Sequence, residues 1–239
     1  MKAMLLAAGR GERMRPLTDS LPKPLLTVRG RPLIVWHILN LVRAGITEIV
    51  INHAHLGHLI EQALGDGSQF GARIAYSPED PALETGGGIA QALPLLGPEP
   101  FLAVSADIYC PYFDFADTLD VLKDTDVLGN PIPPEQRDMA WIYLTKNPWH
   151  NPHGDFGLTL YQVSNTGEPK WNFANIGVYR PEMFADIVPG THARMGPVIR
   201  AWAERGRVGG ELIDTDWTNV GTIAQLEALN APYGGRGQA

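Results

Sequence analysis

The chain opens on an apolar run, Lys2-Ala3-Met4-Leu5-Leu6-Ala7-Ala8, that stops at Gly9. A short unbroken apolar stretch of this kind suits a strand buried on both faces of a parallel sheet. From Gly9 to Leu26 the residues are polar, basic and proline-rich, which predicts a long loop. Pro32 suits the first turn of a helix and Gly45 its end. Between them Leu33, Ile34, Trp36, Ile38, Leu41 and Val42 supply the apolar face. The same reading predicts strands over 46–52, 72–77 and 101–106, and helices over 55–64 and 87–96. Strands alternating with helices as far as Asp107 imply a parallel sheet with right-handed crossovers. Ligands of such sheets bind beyond the C-terminal strand ends. Gly9–Lys23, Asn52-His53, Ser77–Gly88 and Asp107 all fall on that rim.

The pattern changes after the proline-rich stretch Gly129-Asn130-Pro131-Ile132-Pro133-Pro134. Strands are expected over 139–145, 157–163 and 175–179, and helices over 182–188 and 198–205. A strand over 208–214 and a final helix over 222–230 follow. The fold class implied is α/β: a Rossmann-like, mostly parallel sheet with flanking helices and a smaller mixed α/β lobe over the strand ends. Residues 1–230 are expected to form one domain, and the glycine-rich residues 231–239 a flexible tail.

Composition narrows the function more than the fold. The 239 residues are 44% apolar and 19% charged, which is globular and excludes disorder as the main state. Nineteen Lys and Arg against 26 Asp and Glu give a net charge of −7 and argue against a nucleic-acid partner. No apolar run approaches ~18 residues, so no membrane span is expected. Met1–Ala8 is too short for a signal peptide. The single cysteine, Cys110, excludes an internal disulfide and is expected to be packing or partly exposed instead of nucleophilic. A cytoplasmic protein is the simplest expectation. Monomer and homodimer both remain open.

An anionic ligand needs cations gathered at one place, and the N-terminal loop supplies them. Arg10, Arg13, Arg15 and Lys23 follow the strand end, interleaved with Gly9 and Gly11. Glycines let a backbone approach phosphate oxygens, and Arg and Lys neutralise them. The dinucleotide fingerprint lacks its third glycine here, and no G-x-x-x-x-G-K-[ST] occurs. A second glycine cluster, Glu84-Thr85-Gly86-Gly87-Gly88, precedes the helix expected at 87–96. It reads either as a recognition loop or as a turn with a helix cap. Asp107, directly after an apolar strand, reads as a Mg²⁺ ligand or as a turn aspartate. His53, His55 and His58 carry only a weak suggestion of zinc.

Leu6-Ala7-Ala8-Gly9-Arg10-Gly11-Glu12-Arg13-Met14, then Pro16-Leu17-Thr18 and Pro22-Lys23-Pro24-Leu25, resemble the signature of sugar-1-phosphate nucleotidylyltransferases. The likeness runs from Met1 to about Asn230. It implies a nucleotide-binding part over about 1–125 and a mainly sugar-binding lobe over about 126–215. Ala7, Ala8, Gly9, Arg10, Gly11 and Lys23 are then expected at the nucleotide phosphates, and Glu84, Thr85, Gly86 and Gly87 at the base. Arg15, Lys23 and Asp107 take the catalytic roles. Mg²⁺ is the implied cofactor, held by Asp107 and by Asn219. Asn219 stands in Trp217-Thr218-Asn219-Val220-Gly221-Thr222, where the family motif has aspartate. An amide oxygen can still ligate, at the cost of one negative charge. Lys146, Asp155, Trp171 and Asn175 are expected at the sugar.

Within the family, Ile49–Ala54, Leu64–Gly71, Tyr76–Glu79, Leu83–Ile89, Asn147-Pro148, His150 and Gly154–Phe156 are most similar to a particular branch. That branch uses UTP and N-acetylmuramate-1-phosphate in peptidoglycan recycling. The rival readings are a mannose-1-phosphate or glucose-1-phosphate enzyme using GTP or another nucleotide, and a non-catalytic nucleotide-sugar sensor.

Overall fold

The computed structural model describes residues 1–126 and 128–232. Val127 and most of the expected tail lie outside the described residues. In chain order the elements are β1 (Ala3–Leu6), β2 (Thr27–Val28), β3 (Arg31–Pro32), α1 (Leu33–Arg43), β4 (Glu48–His53), α2 (Gly57–Leu64), β5 (Arg73–Pro78), α3 (Glu84–Leu96), β6 (Phe101–Ser105) and β7 (Ile108–Tyr109). There follow β8 (Ala140–Thr145), β9 (Phe156–Thr159), β10 (Gln162–Ser164), β11 (Lys170–Tyr179), α4 (Met195–Ala203), β12 (Val208–Leu212), β13 (Thr218–Asn219) and α5 (Ile223–Asn230).

The main sheet runs β5-β4-β1-β6-β11-β8-β12-β10-β9. Its first four strands are parallel, as the β-α alternation requires. β11 enters antiparallel between β6 and β8, and makes the sheet mixed. The chain moves outward from β1 to β4 to β5, then crosses back over to β6 on the other side of β1. That reversal opens a crevice at the C-terminal ends of β1 and β6, the usual ligand position in open α/β sheets.

Alternation along β1 assigns the two faces. Ala3 and Leu5 pack into a core with Ile34, Ile38 and Leu41 of α1 and Ile60 of α2. Met4 packs on the opposite face with Ile89 of α3 and Ile199 of α4. Burying each such side chain contributes roughly 1.5–3 kcal/mol, so the central strands are held from both sides.

Four expectations shift. The loop over 9–26 contains three 3₁₀ turns, at Glu12–Met14, Leu17–Asp19 and Lys23–Leu25. α3 begins at Glu84, so Glu84–Gly88 form its first turn and a half instead of preceding it. The strand expected over 157–163 is a hairpin, β9 and β10, reversing at Leu160 and Tyr161. Leu160 sits at φ +55 without the glycine or asparagine that usually marks such a turn. The helix expected over 182–188 is only a 3₁₀ turn, Pro181–Phe184. Met183 and Phe184 enter the core there while Val188 is exposed, so no continuous face exists to carry a helix onward.

α1 also holds the segment that follows β6. Asn40 donates from Nδ2 to the Pro111 carbonyl at 3.0 Å. His37 donates from Nε2 to the Ile108 carbonyl at 2.8 Å, so its buried Nδ1 is bare and has no partner. Burial pushes the His37 imidazole down from 6.5 to about 4. A depressed folded-state value means that stability is present above about 6.5 and is lost as pH falls toward about 4. Urea titrations are expected to show a loss on the order of 3 kcal/mol across that window. His37→Leu is expected to flatten the slope.

Candidate active site

The loop after β1 is shaped by contacts as much as by charge. Gly11 sits at φ +70, and a Cβ there would lie 3.0 Å from Thr18 Cγ2 and 3.3 Å from Lys23 Cβ. Thr18 donates its hydroxyl to the Gly11 carbonyl at 2.9 Å. Met14 is fully buried in a small core with Leu26, Val28, Leu33, Val220 and Leu226. The loop is therefore pinned against the C-terminal segment. α5 is fastened in the same region, because Asn230 donates to Thr27 O at 2.8 Å and accepts from Arg29 N at 2.8 Å.

This anchorage carries Asn219 to Asp107. β13 pairs antiparallel with β7, placing Asn219 opposite Ile108. Val220 N donates to the Asp107 carbonyl at 2.9 Å. Lys23, itself only 7% exposed, reaches across from the loop and places Nζ 2.7 Å from Asp107 Oδ2. Three expected functional residues from three distant stretches thus meet at the end of β6.

Lys23 and Asp107 border a cavity of about 480 Å³ lined also by Ala7, Ala8, Gly9, Arg10 and Gly11 and by Glu84 and Thr85. Arg13 lines it too, with Nη2 3.0 Å from where a Cβ on Gly221 would stand. Arg10 pairs with Glu12 at 2.7 Å. Arg15 lies off the cavity, half exposed, with Nε 2.7 Å from Asp19 Oδ1. Asp19 and Glu12 raise its pKa and hold it charged. Gly86 and Gly87 also lie off the wall, because their faces are covered by the 191–193 segment. Gly87 N donates to Ala193 O at 3.0 Å, and Ala193 N to Leu83 O at 3.0 Å.

A smaller cavity of about 220 Å³ shares Leu6, Glu84, Thr85 and Ser105 with the first. Asn175 lines it from a bulge in β11, at φ +58. Lys146 and Asn219 border a third, outer cleft of about 730 Å³ with Trp149 and Trp217. Lys146 is largely exposed, and its Nζ is 3.8 Å from Asp214 Oδ1. Asp155 and Trp171 line none of the three. Asp155 Oδ2 accepts from Phe173 N at 2.8 Å, and Trp171 packs against the core beside Phe156.

A buried polar chain that the motifs did not announce supports the rim. Ala7 N donates to Asn52 Oδ1 at 2.9 Å, and Asn52 Nδ2 to Glu79 Oε1 at 2.6 Å. Glu79 Oε2 accepts from Leu83 N at 2.8 Å. Asn52 lines the 480 Å³ cavity, so this chain ties β1, β4 and the start of α3 into one wall. The only hint in the sequence is the polar ending of an otherwise apolar strand, Ile51-Asn52-His53. Ser105, His192, Arg194 and Gly221 are further lining residues that were not singled out for a role.

The histidines go elsewhere. His53 Nε2 is 2.7 Å from Glu61, and His55 Nε2 is 3.2 Å from the Thr18 carbonyl. Among the described residues no three His, Cys, Asp or Glu side chains converge on a metal. Mg²⁺ does not need such a cluster, since one or two protein oxygens with water and phosphate suffice. Asp107 engages Lys23 through Oδ2, keeps Oδ1 available and is one-third exposed. Asn219 Oδ1 lies 3.2 Å from where a Cβ on Gly221 would stand, and Gly221 lines the same cavity as Asp107, so the donor set suits Mg²⁺. Cys110 is buried, its thiol pushed up to about 12, and serves as packing.

Residues 2–130 match the nucleotidyl transferase family. The chain is 49% identical over 238 residues to N-acetylmuramate alpha-1-phosphate uridylyltransferase of Neisseria meningitidis serogroup B, covering 98% of this chain and 99% of that one. The chain belongs to the sugar-1-phosphate nucleotidylyltransferase family. The enzyme of the same name from Caulobacter vibrioides is 32% identical to this transferase, over 92% of this chain and 91% of that one. A Bacillus anthracis structure described as a glucose-1-phosphate thymidylyltransferase superposes on the transferase with a TM-score of 0.80 at 20% identity, over 96% and 94% of the two chains. That likeness shows the fold.

The Glu79 chain gives a direct test. A Cβ on Gly88 would strike Glu79 Oε1 and lie 2.7 Å from Asn52 Nδ2. Gly88→Ala is expected to lower the transferase's unfolding free energy by about 1–3 kcal/mol, measured by urea denaturation.

Proposed function

We propose that this chain transfers UMP from UTP to N-acetylmuramate α-1-phosphate, giving UDP-N-acetylmuramate and pyrophosphate. The Lys23–Asp107 pair beside the glycine loop, with the Asn219 strand paired to the strand that follows Asp107, supports the chemistry. The near full-length likeness to the Neisseria enzyme supports the choice of nucleotide and sugar. The product belongs to peptidoglycan recycling, and we place the enzyme in the cytoplasm. None of the described helices is long and apolar enough to cross a membrane.

A phosphate oxygen of the sugar phosphate attacks the α-phosphorus of UTP in line. The new P–O bond forms as the bond to the bridging oxygen of the β-phosphate breaks, and pyrophosphate departs with those electrons. The nucleophile is already an anion near neutral pH, so no general base is required. The barrier lies in bringing two polyanions together, and catalysis is positioning and charge neutralisation. Lys23 holds its ammonium at the strand end, where the α-phosphate comes to rest. Its burial keeps it in place before substrate arrives. Backbone groups of Gly9, Arg10 and Gly11 cradle the phosphates. Arg15 reaches the triphosphate by exchanging Asp19 for a phosphate oxygen. An exposed pair of that kind is solvent-screened and exchanges partners readily. Asp107 and Asn219 would hold Mg²⁺, which would supply Lewis-acid neutralisation of the reacting phosphates. Asn175 receives the sugar, while Glu84 and Thr85 face the base.

The test is pyrophosphate release with Mg²⁺, crossing UTP, dTTP, GTP and CTP with N-acetylmuramate-, N-acetylglucosamine-, glucose- and mannose-1-phosphates. Release is expected to be fastest with UTP and N-acetylmuramate-1-phosphate. Preference for another pair would reject this substrate assignment. Lys23→Ala and Asp107→Ala are each expected to cost at least ~2.7 kcal/mol of transition-state stabilisation, about 100-fold in rate. A rate within about threefold of wild type would remove that role from the residue. Asn219→Asp is expected to keep activity and to lower the Mg²⁺ concentration giving half-maximal rate. A raised requirement would count against Asn219 as a ligand.

A further inference from the structure

The basic side chains around the strand ends are mostly engaged. Arg10 holds Glu12, Arg15 holds Asp19 and Lys23 holds Asp107, each at 2.7 Å. Arg13 lies by Gly221 on the nucleotide side. Arg194 is the exception on the sugar side. It immediately precedes α4 and lines the smaller cavity together with Asn175. Its side chain makes no ion pair or hydrogen bond among the described residues.

The setting of Arg194 suits a substrate carboxylate. Ile89, Phe173 and Met195 give the cavity an apolar wall, and Arg194 stands exposed at its edge, open to an incoming anionic group. The one carboxylate on that wall, Glu84, faces His192 at 3.7 Å. Leu6 and Ser105, shared by the two cavities, join this space to the wall that carries Asp107. A sugar whose phosphate lies at Asp107 therefore extends its ring toward Arg194. A guanidinium fork matches a carboxylate with two parallel N–H···O bonds, which an ammonium does not do.

We infer that Arg194 recognises the carboxylate of the sugar's lactyl ether, the group that N-acetylmuramate has and N-acetylglucosamine lacks. The inference rests on the functional reading above and assigns the discrimination to one side chain. The phosphates are handled elsewhere, by the loop after β1 and by Lys23. Loss of Arg194 should therefore affect one sugar and leave the nucleotide alone.

The experiment measures steady-state kinetics of the full chain with Mg²⁺, UTP and either N-acetylmuramate-1-phosphate or N-acetylglucosamine-1-phosphate. It compares wild type, Arg194→Met and Arg194→Lys. Arg194→Met is expected to raise KM for N-acetylmuramate-1-phosphate about 30-fold while kcat/KM for N-acetylglucosamine-1-phosphate and KM for UTP stay within about twofold. Arg194→Lys is expected to recover part of the loss, because it restores charge without the fork. Equal losses on both sugars, or an unchanged KM for N-acetylmuramate-1-phosphate, would overturn the inference and leave the functional reading standing. A wild-type enzyme that ignores N-acetylmuramate-1-phosphate yet uses another sugar phosphate would overturn that reading and this inference with it.

Discussion

A buried lysine has to face an anion, and here it faces one on the wall of the main cavity. Lys23 Nζ lies 2.7 Å from Asp107 Oδ2, with the lysine nearly sealed and the aspartate one-third exposed. Leaving either charge alone at that depth would be costly, so the two fix each other's position. Much of the rim serves to hold that pair. Gly11 makes room for the Lys23 stem, β6 ends at the right place for Asp107, and β7 with β13 seals the far side. One positive and one negative group therefore stand in register on the cavity wall.

The rim is made rigid by two supports of different chemistry. On one side Met14 and Val220 share an apolar core, so the phosphate loop and the Asn219 segment cannot part without exposing buried surface. On the other side the chain from Ala7 through Asn52 and Glu79 to Leu83 is polar and directional. It sets where the strand end and the first turn of α3 stand relative to each other. Gly88 is small because that chain passes beneath it.

Much of this was legible in the sequence where a single local pattern sufficed. The apolar run ending at Gly9, the bracket of Pro32 and Gly45, and the β-branched strand before Asn52 placed β1, α1 and β4 to within two residues. The loop signature placed Lys23, and the strand end placed Asp107. Features set by distant partners were not legible. The start of α3 is governed by contacts with residues 191–193, which lie about a hundred positions away and carry no motif. The reversal at Leu160 lacks the usual turn residues. Arg194 is one arginine among many until the fold places it on a cavity wall. Arg15, prominent in the motif, turned out to be tied to Asp19 beside the cavity instead of on its wall.

The two-residue ribbon of β7 and β13 has a consequence for how the protein becomes competent. Lys23 and Asp107 are both present in the first half of the chain, but Asn219 and the Val220 amide arrive almost at its end. During synthesis the parallel strands can assemble while the far wall of the site is still missing. The order of the strands makes that wall separable from the sheet: a chain cut before Thr218 would retain every strand of the main sheet and lose the ribbon beside Asp107.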